Sequence, residues 1–233
     1  MKMNKEKVIR RCVCTPSELR VREASEGEQP SRTITGYAIL FNTPSVPLWS
    51  DDDSEAREEI APEAITKAVL DAQDVKMTMF HDRQLILARS NKGAGTLSYS
   101  VDEKGVAFEF EAPHTADGDK ALELVRRGDI CGCSFAFSTR YYDRDFVERK
   151  NEILPNGCNN ITYRVKAVIG VYDFTLAADP YYQETSVEAR ELAADLKGSE
   201  VPTHEEEERK REEEKRVQEQ VREMRALSEK TIV

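Results

Sequence analysis

Strand-length runs in which apolar and polar residues alternate with period two constrain the fold of this chain more than any other feature. In "DVKMTMFHD" Val75, Met77 and Met79 share one face, and His81 falls on the same parity at the end. "GTLSYSVDEKGVAFEFEA" places Leu97, Tyr99 and Val101 on one arm and Val106, Phe108 and Phe110 on the other, with Gly105 in the turn between. That is a β-hairpin. "RTITGYAILF", interrupted only by Gly36, reads as a strand, as does "ICGCSFAFSTRYY". "TYRVKAVIGVYDFTLAADP" is the longest apolar strand signal. Between these strands, helical spacing is confined to two short pieces. One is "APEAITKAVLDA", with Pro62 near its start; the other is "DGDKALELVRRGD", with Ala121, Leu122 and Val125 on one face and Gly128 as a natural cap. Strands with so few helices between them do not form a βαβ repeat. The expected class is mainly β with peripheral helices (α+β), as a β-barrel or compact sheet. "NTPSVPLWSDDDSEARE" reads as a surface loop, and "DRDFVERKNEILPNGCNNI" as a polar excursion around a Pro-Asn-Gly turn.

At 233 residues and 39% hydrophobic content, the chain supports one core of about 150 to 200 residues with an appendage. A net charge of -10 lacks the basic footprint of a nucleic-acid or anionic-membrane binder, so neither partner is expected. No apolar run spans a bilayer, and "MKMNKEKVIRRCVCT" lacks a signal peptide's apolar stretch, which makes a cytosolic location the expectation. The 5 cysteines are an odd set in a reducing compartment and read as free thiols. Both close pairs are C-x-C and the 3 histidines lie far from them, so neither a metal site nor a cofactor is expected. From Thr185 the composition turns helical and charged. "THEEEERKREEEKRVQEQVREMRALSEK" offers Glu205 with Arg209, Glu206 with Lys210 and Glu207 with Arg211 as i, i+4 pairs, and Val217, Val221 and Met224 as a narrow apolar stripe. This tail reads as a solvated helix, with partner docking as the alternative.

His81 is the first candidate for chemistry, because it ends an alternating strand beside Asp82, Arg83 and Gln84, where a strand runs into a polar opening. In "GDICGCSFAF" the parity sets Cys131 and Cys133 with Phe135 and Phe137, as buried structural thiols are set. Ser134 lies opposite, between Gly132 and Ala136, on a face a substrate backbone can approach. Its bland reading is a small-residue packing face. A third member would be an acid that orients the histidine. Asp173 falls on the parity of Ile169 and Val171, where a carboxylate needs a charged or hydrogen-bonding partner. Glu111 is the rival acid, and His114 is kept as an alternative third member.

Taken together, these stretches resemble the tailed-phage prohead protease family, serine proteases that mature procapsids. The resembling blocks are "RTITGYAILFNTPS", "EEIAPEAITKAV", "FHDRQLILARSNKGAGTLSYSVDEKGVAFEFEAP", "LVRRGDICGCSFAFS" and "VYDFTLAADPYYQETSVEAR". They run from Arg32 to Arg190 and include none of the charged tail. The resemblance implies that His81 is the catalytic histidine, that Ser134 is the nucleophile of the G-x-S-F-x-F block, and that Asp173 is the acidic member. This chain departs from the family's usual pattern at Ala88, at both cysteines of "CGCSFAF" and in "FTLAADPYY". The family's relation to herpesvirus assemblins implies a herpesvirus-protease-like β-barrel core, here with a C-terminal helical tail.

Three regions follow: an N-terminal extension over 1–30, a protease domain over 31–190 and a charged tail over 191–233 for targeting, docking or autoprocessing. The implied activity is a serine endopeptidase using acyl-enzyme chemistry inside the assembling procapsid, in the host cytoplasm. Its implied substrates are the capsid scaffold or the scaffolding segment of the major capsid protein, and the enzyme itself. Self-association is expected, and the portal and shell interior are further contacts it allows. Backbone amides near Ser134, or Arg140 or Arg164, are candidate oxyanion donors, and the segment from Leu48 to Glu59 is a candidate lid or self-cleavage region. The alternative from another class is a non-catalytic capsid assembly or scaffold protein on the same fold. A cysteine hydrolase using Cys131 or Cys133 is a third reading.

Overall fold

The computed structural model describes residues 6, 8–16, 18–24, 27, 29–178 and 216. The tail expected over 191–233 lies outside them save for Arg216, as does the helical stretch from Thr185. Strands, numbered in chain order, form three sheets. The first runs β1 (Ile9–Pro16), β11 (Gly132–Thr139), β14 (Gly170–Ala177), β6 (Asp74–Met79), β7 (Asp82–Asn91), β8 (Ala94–Gly95). The second runs β2 (Arg20–Val21), β3 (Thr33–Leu40), β10 (Gly105–Glu111), β9 (Leu97–Val101). The third runs β12 (Val147–Ile153), β13 (Asn159–Val165), β5 (Ser54–Ile60), β4 (Trp49–Ser50). Pairing is antiparallel except for β14 with β6 and β13 with β5.

The class is mainly β, with helices at the periphery. Each sheet is open at both ends, so the described strands close no barrel, and the barrel core implied by the resemblance is corrected to three open sheets. The reason is that β3 meets β11 by side-chain packing and not by pairing, which stacks sheets where a barrel would continue one. Between them lies the core. Cys133, Phe135, Phe137, Phe174, Leu176, Met77 and Met79 of the first sheet and Ile34, Val106, Phe108 and Phe110 of the second belong to one buried cluster. Phe135 and Phe137 stack with ring centroids 5.2 Å apart, fixing the strand that carries Ser134.

Helix α2 (Ala116–Arg127) forms as its spacing predicts. Thr115 caps its first turn by accepting from the Gly118 N–H, and Gly128 ends it at φ 77°. The other expected helix splits. Pro62–Ala64 is a 3-10 turn, and α1 (Lys67–Asp71) starts after Thr66, whose hydroxyl accepts from the Val69 N–H.

Three strand readings are corrected. Much of the expected surface loop is instead the β4–β5 hairpin, which turns at Asp51 to Asp53, because Ala56, Glu58 and Ile60 alternate inward and lie opposite Ile161, Tyr163 and Val165 of β13. The polar excursion forms the β12–β13 hairpin, with Gly157 at φ 86° in its turn. The long apolar signal is two strands, β13 and β14, in different sheets and parted at Lys166 to Ile169. Residues ahead of position 31 contribute strands to both of the first two sheets.

Candidate active site

Strand β11 is buried on both faces. Cys133 joins Phe135 and Phe137 in the core, while Ser134 faces away, 5% exposed and directly opposite Thr175 on β14. Cys131 precedes the strand and is exposed, so it does not travel with the phenylalanines as strict parity predicts. Its thiol donates a long bond to the Ala178 carbonyl, 3.7 Å away.

Parity along β14 breaks beside Asp173. Asp173 lies opposite Ala136 and Val171 opposite Phe137, which leaves Tyr172 as an extra residue in a β-bulge. Val171, Phe174 and Leu176 therefore keep the core, and Asp173 turns to the Ser134 face. The Tyr172 hydroxyl and that of Ser138 are 2.8 Å apart beside the bulge. The expected sharing of a face by Asp173 and Val171 is thereby corrected.

His81 is also displaced from its expected place. Strand β6 ends at Met79, and Phe80 and His81 form the two-residue connection to β7, with Met79 opposite Asp82. Their φ angles are 55° and 56°. Two successive positive φ values are what a type I′ hairpin turn needs, and side chains larger than Asn or Gly hold them at about 1–2 kcal/mol per residue. The turn folds the imidazole back across β14. The His81 Nδ1–H donates to Asp173 Oδ1 at 2.7 Å, and the Ser134 hydroxyl donates to His81 Nε2 at 2.8 Å. A carboxylate only accepts, so the bond to Asp173 selects the tautomer whose Nε2 can take a proton from Ser134. The His81 and Asp173 side chains are 14% and 7% exposed, so the chain is largely shielded from water yet open at the histidine.

The alternatives stand elsewhere. Glu111 is exposed at the end of β10, opposite Thr33, and His114 is exposed just before α2. Both line a surface hollow with Arg32 and Arg126. Neither hydrogen-bonds to His81, whose ring nitrogens are taken by Asp173 and Ser134. Arg140 pairs with Asp143 and lies over the Phe146 ring, and Arg164 is held by Asn42 and Glu59. Both arginines offered as oxyanion donors thus have acidic partners. Sequence parity also passed over Thr175, which faces Ser134 and touches the histidine turn. Among the described residues no group of three or more His, Cys, Asp and Glu could hold a metal ion. No helix among them is long and apolar enough to cross a membrane. An acid, a histidine and a hydroxyl in this order can perform acyl transfer: the histidine removes the hydroxyl proton as oxygen attacks a carbonyl, and the acid stabilises the resulting imidazolium.

A family model described as caudovirus prohead serine protease matches residues 17–198. Among solved structures, that of the bacteriophage T4 capsid assembly protease gp21 aligns at 12% identity over 73% of this chain and 98% of that one, with a TM-score of 0.37. No curated protein matches.

Proposed function

The chain belongs to the caudovirus prohead serine protease family, and from that premise we propose that Ser134 is its nucleophile, His81 its general base and acid, and Asp173 the carboxylate that orients His81. The observation that carries this reading is the pair of hydrogen bonds meeting on one imidazole, to Asp173 at 2.7 Å and Ser134 at 2.8 Å. Nucleophilic attack forms a bond from Ser134 Oγ to the scissile carbonyl carbon while His81 Nε2 takes the hydroxyl proton. The carbon–nitrogen bond then breaks, and His81 returns that proton to the departing amine. Water repeats the sequence on the acyl-enzyme, giving its proton to His81 and restoring the serine.

The substrates proposed are the capsid scaffold or the scaffolding segment of the major capsid protein, and the protease itself. Cleavage takes place inside the assembling procapsid, in the host cytoplasm. Self-association belongs to the same reading. The charged tail over 191–233 serves as a targeting or docking segment or is removed by autoprocessing.

The test separates chemistry from substrate. A fluorophosphonate phosphonylates an activated serine with loss of fluoride and needs no knowledge of the cleavage site. The wild-type chain is expected to label once, at Ser134, and to process co-expressed capsid and scaffold proteins. Ser134→Ala is expected to keep the far-UV circular dichroism spectrum and lose both signals. Labelling and processing undiminished in that variant would show a different nucleophile, and a wild-type chain that neither labels nor processes would show a non-catalytic assembly role.

A further inference from the structure

We propose that Thr175 is a positioning residue for this reaction, its hydroxyl anchoring the backbone of the left-handed turn that presents His81. The inference rests on the reading of His81 as general base and extends it to a residue on the neighbouring strand. Phe80 and His81 both hold positive φ, which is uncommon outside glycine and costs about 1–2 kcal/mol per residue, most of all for a bulky side chain such as Phe80. Something outside the turn must hold it. The His81 backbone N–H donates to Thr175 Oγ1 at 2.9 Å, and the Phe80 N–H donates to the Leu176 carbonyl at 3.2 Å. Thr78 donates a second bond to Thr175 Oγ1, also at 2.9 Å. Thr175 is 0% exposed and Thr78 1%, so water cannot replace either contact.

The placement of these groups along β14 completes the argument. Asp173 and Thr175 are two residues apart, so both project from one face of the strand. Asp173 grips the ring of His81 at Nδ1, while Thr175 grips its main chain. Two fixed points, one at each end of the side chain, define where Nε2 lies above Ser134. Without the Thr175 contact, the bond from Phe80 to Leu176 still holds the first residue of the turn, but the His81 backbone could relax toward negative φ and draw Nε2 away. Misplacement on the scale of an ångström costs about 10²-fold in rate.

Thr175→Val keeps the shape and removes the acceptor, whereas Thr175→Ser keeps the acceptor. Fluorophosphonate inactivation of the full chain is expected to show the maximal rate falling about 10- to 100-fold in Thr175→Val. The concentration for half-maximal rate should be unchanged, and Thr175→Ser should recover to within about threefold, with melting temperatures recorded alongside. Equal rates in Thr175→Val and wild type, or a loss in Thr175→Ser as large as in Thr175→Val, overturn the proposal. A measurement on the unsubstituted chain stands if Thr175→Val does not fold. By amide hydrogen exchange, the His81 N–H should exchange at least about 10²-fold more slowly than the N–H of Arg83, an exposed residue just past the turn. Exchange at the same rate overturns the anchor. A wild-type label found anywhere but Ser134 would instead overturn the underlying catalytic reading, and leave the exchange result to judge the anchor alone.

Discussion

Replacing Asp173 by Asn changes one atom and reverses the logic of the proposed site. The carboxylate accepts from Nδ1–H at 2.7 Å and so fixes Nε2 as the proton acceptor facing Ser134. An amide presenting its NH2 group to Nδ1 selects the other tautomer, with a proton on Nε2 and no base for the serine. The charge is lost as well. A carboxylate and an imidazolium with centres about 4 Å apart attract by about 4 kcal/mol at an effective dielectric of about 20, a suitable value for side chains as shielded as these. At 1.36 kcal/mol per decade this corresponds to about 10³ in rate, and tautomer loss in a Ser-His-Asp triad reaches about 10⁴. Asp173→Asn is therefore expected to slow fluorophosphonate inactivation and capsid-protein processing by about 10³- to 10⁴-fold, because the lost tautomer and the lost charge act on the same step and do not add. Its isosteric side chain should leave the melting temperature within a few degrees. A folded variant within tenfold of wild type would refute the assignment of Asp173.

Two further expectations concern the scaffold that holds the site. A Cβ on Gly118 would lie 2.0 Å from the Pro113 carbonyl oxygen, whereas one on Gly128, at φ 77°, would meet nothing within 4 Å. Gly118→Ala should thus cost about 3 kcal/mol or more by displacing the start of α2, and Gly128→Ala about 1 kcal/mol of backbone strain alone; urea denaturation giving the opposite order would discard the contact geometry. Hydrogen bonds from Arg89 and Lys76 lower the Asp74 carboxyl from 3.8 to about 2. A carboxyl depressed in the folded state stabilises fully above about pH 4 and loses that contribution as pH falls through about 2. Because Asp74 is 37% exposed, the screened contribution is below about 1 kcal/mol. Asp74→Asn should flatten the stability profile between those pH values, and a profile parallel to wild type would deny the pair any role.

The strands that face one core were legible in the sequence because each buries every second residue. Val75, Met77, Met79, Leu97, Val106, Phe108 and Phe110 are all buried where the alternation puts them. Strand β5 was not legible. Its inward positions are Ala56, Glu58 and Ile60, and a glutamate in the middle of the row hides the period among the surrounding acids. The division of the longest apolar signal was not legible either, since only Gly170 marks where the chain leaves one sheet for another and apolar residues flank it on both sides. Residue chemistry and the family blocks both singled out His81 and Asp173, yet strand parity put His81 on a strand and Asp173 on the face of Val171.

Those two misplacements have a common physical cause. Neighbouring strands lie about 4.8 Å apart, so a side chain rising from β6 would have to reach across β14, roughly 10 Å, to meet a hydroxyl on β11. A regular pleat also points each side chain straight out of the sheet, and with Val171 in the core it would place Asp173 there too. Bringing the three groups together therefore requires leaving the pleat twice. The bulge at Tyr172 moves Asp173 from the core face to the Ser134 face, and the left-handed turn at Phe80 and His81 swings the imidazole over the middle strand. Ser134 needs no such departure, since the register from Gly132 to Ala136 is unbroken, and its face could be read directly from the alternation. In this chain the period predicts the core and the face of Ser134, and the other two groups of the proposed site reach it where the period fails.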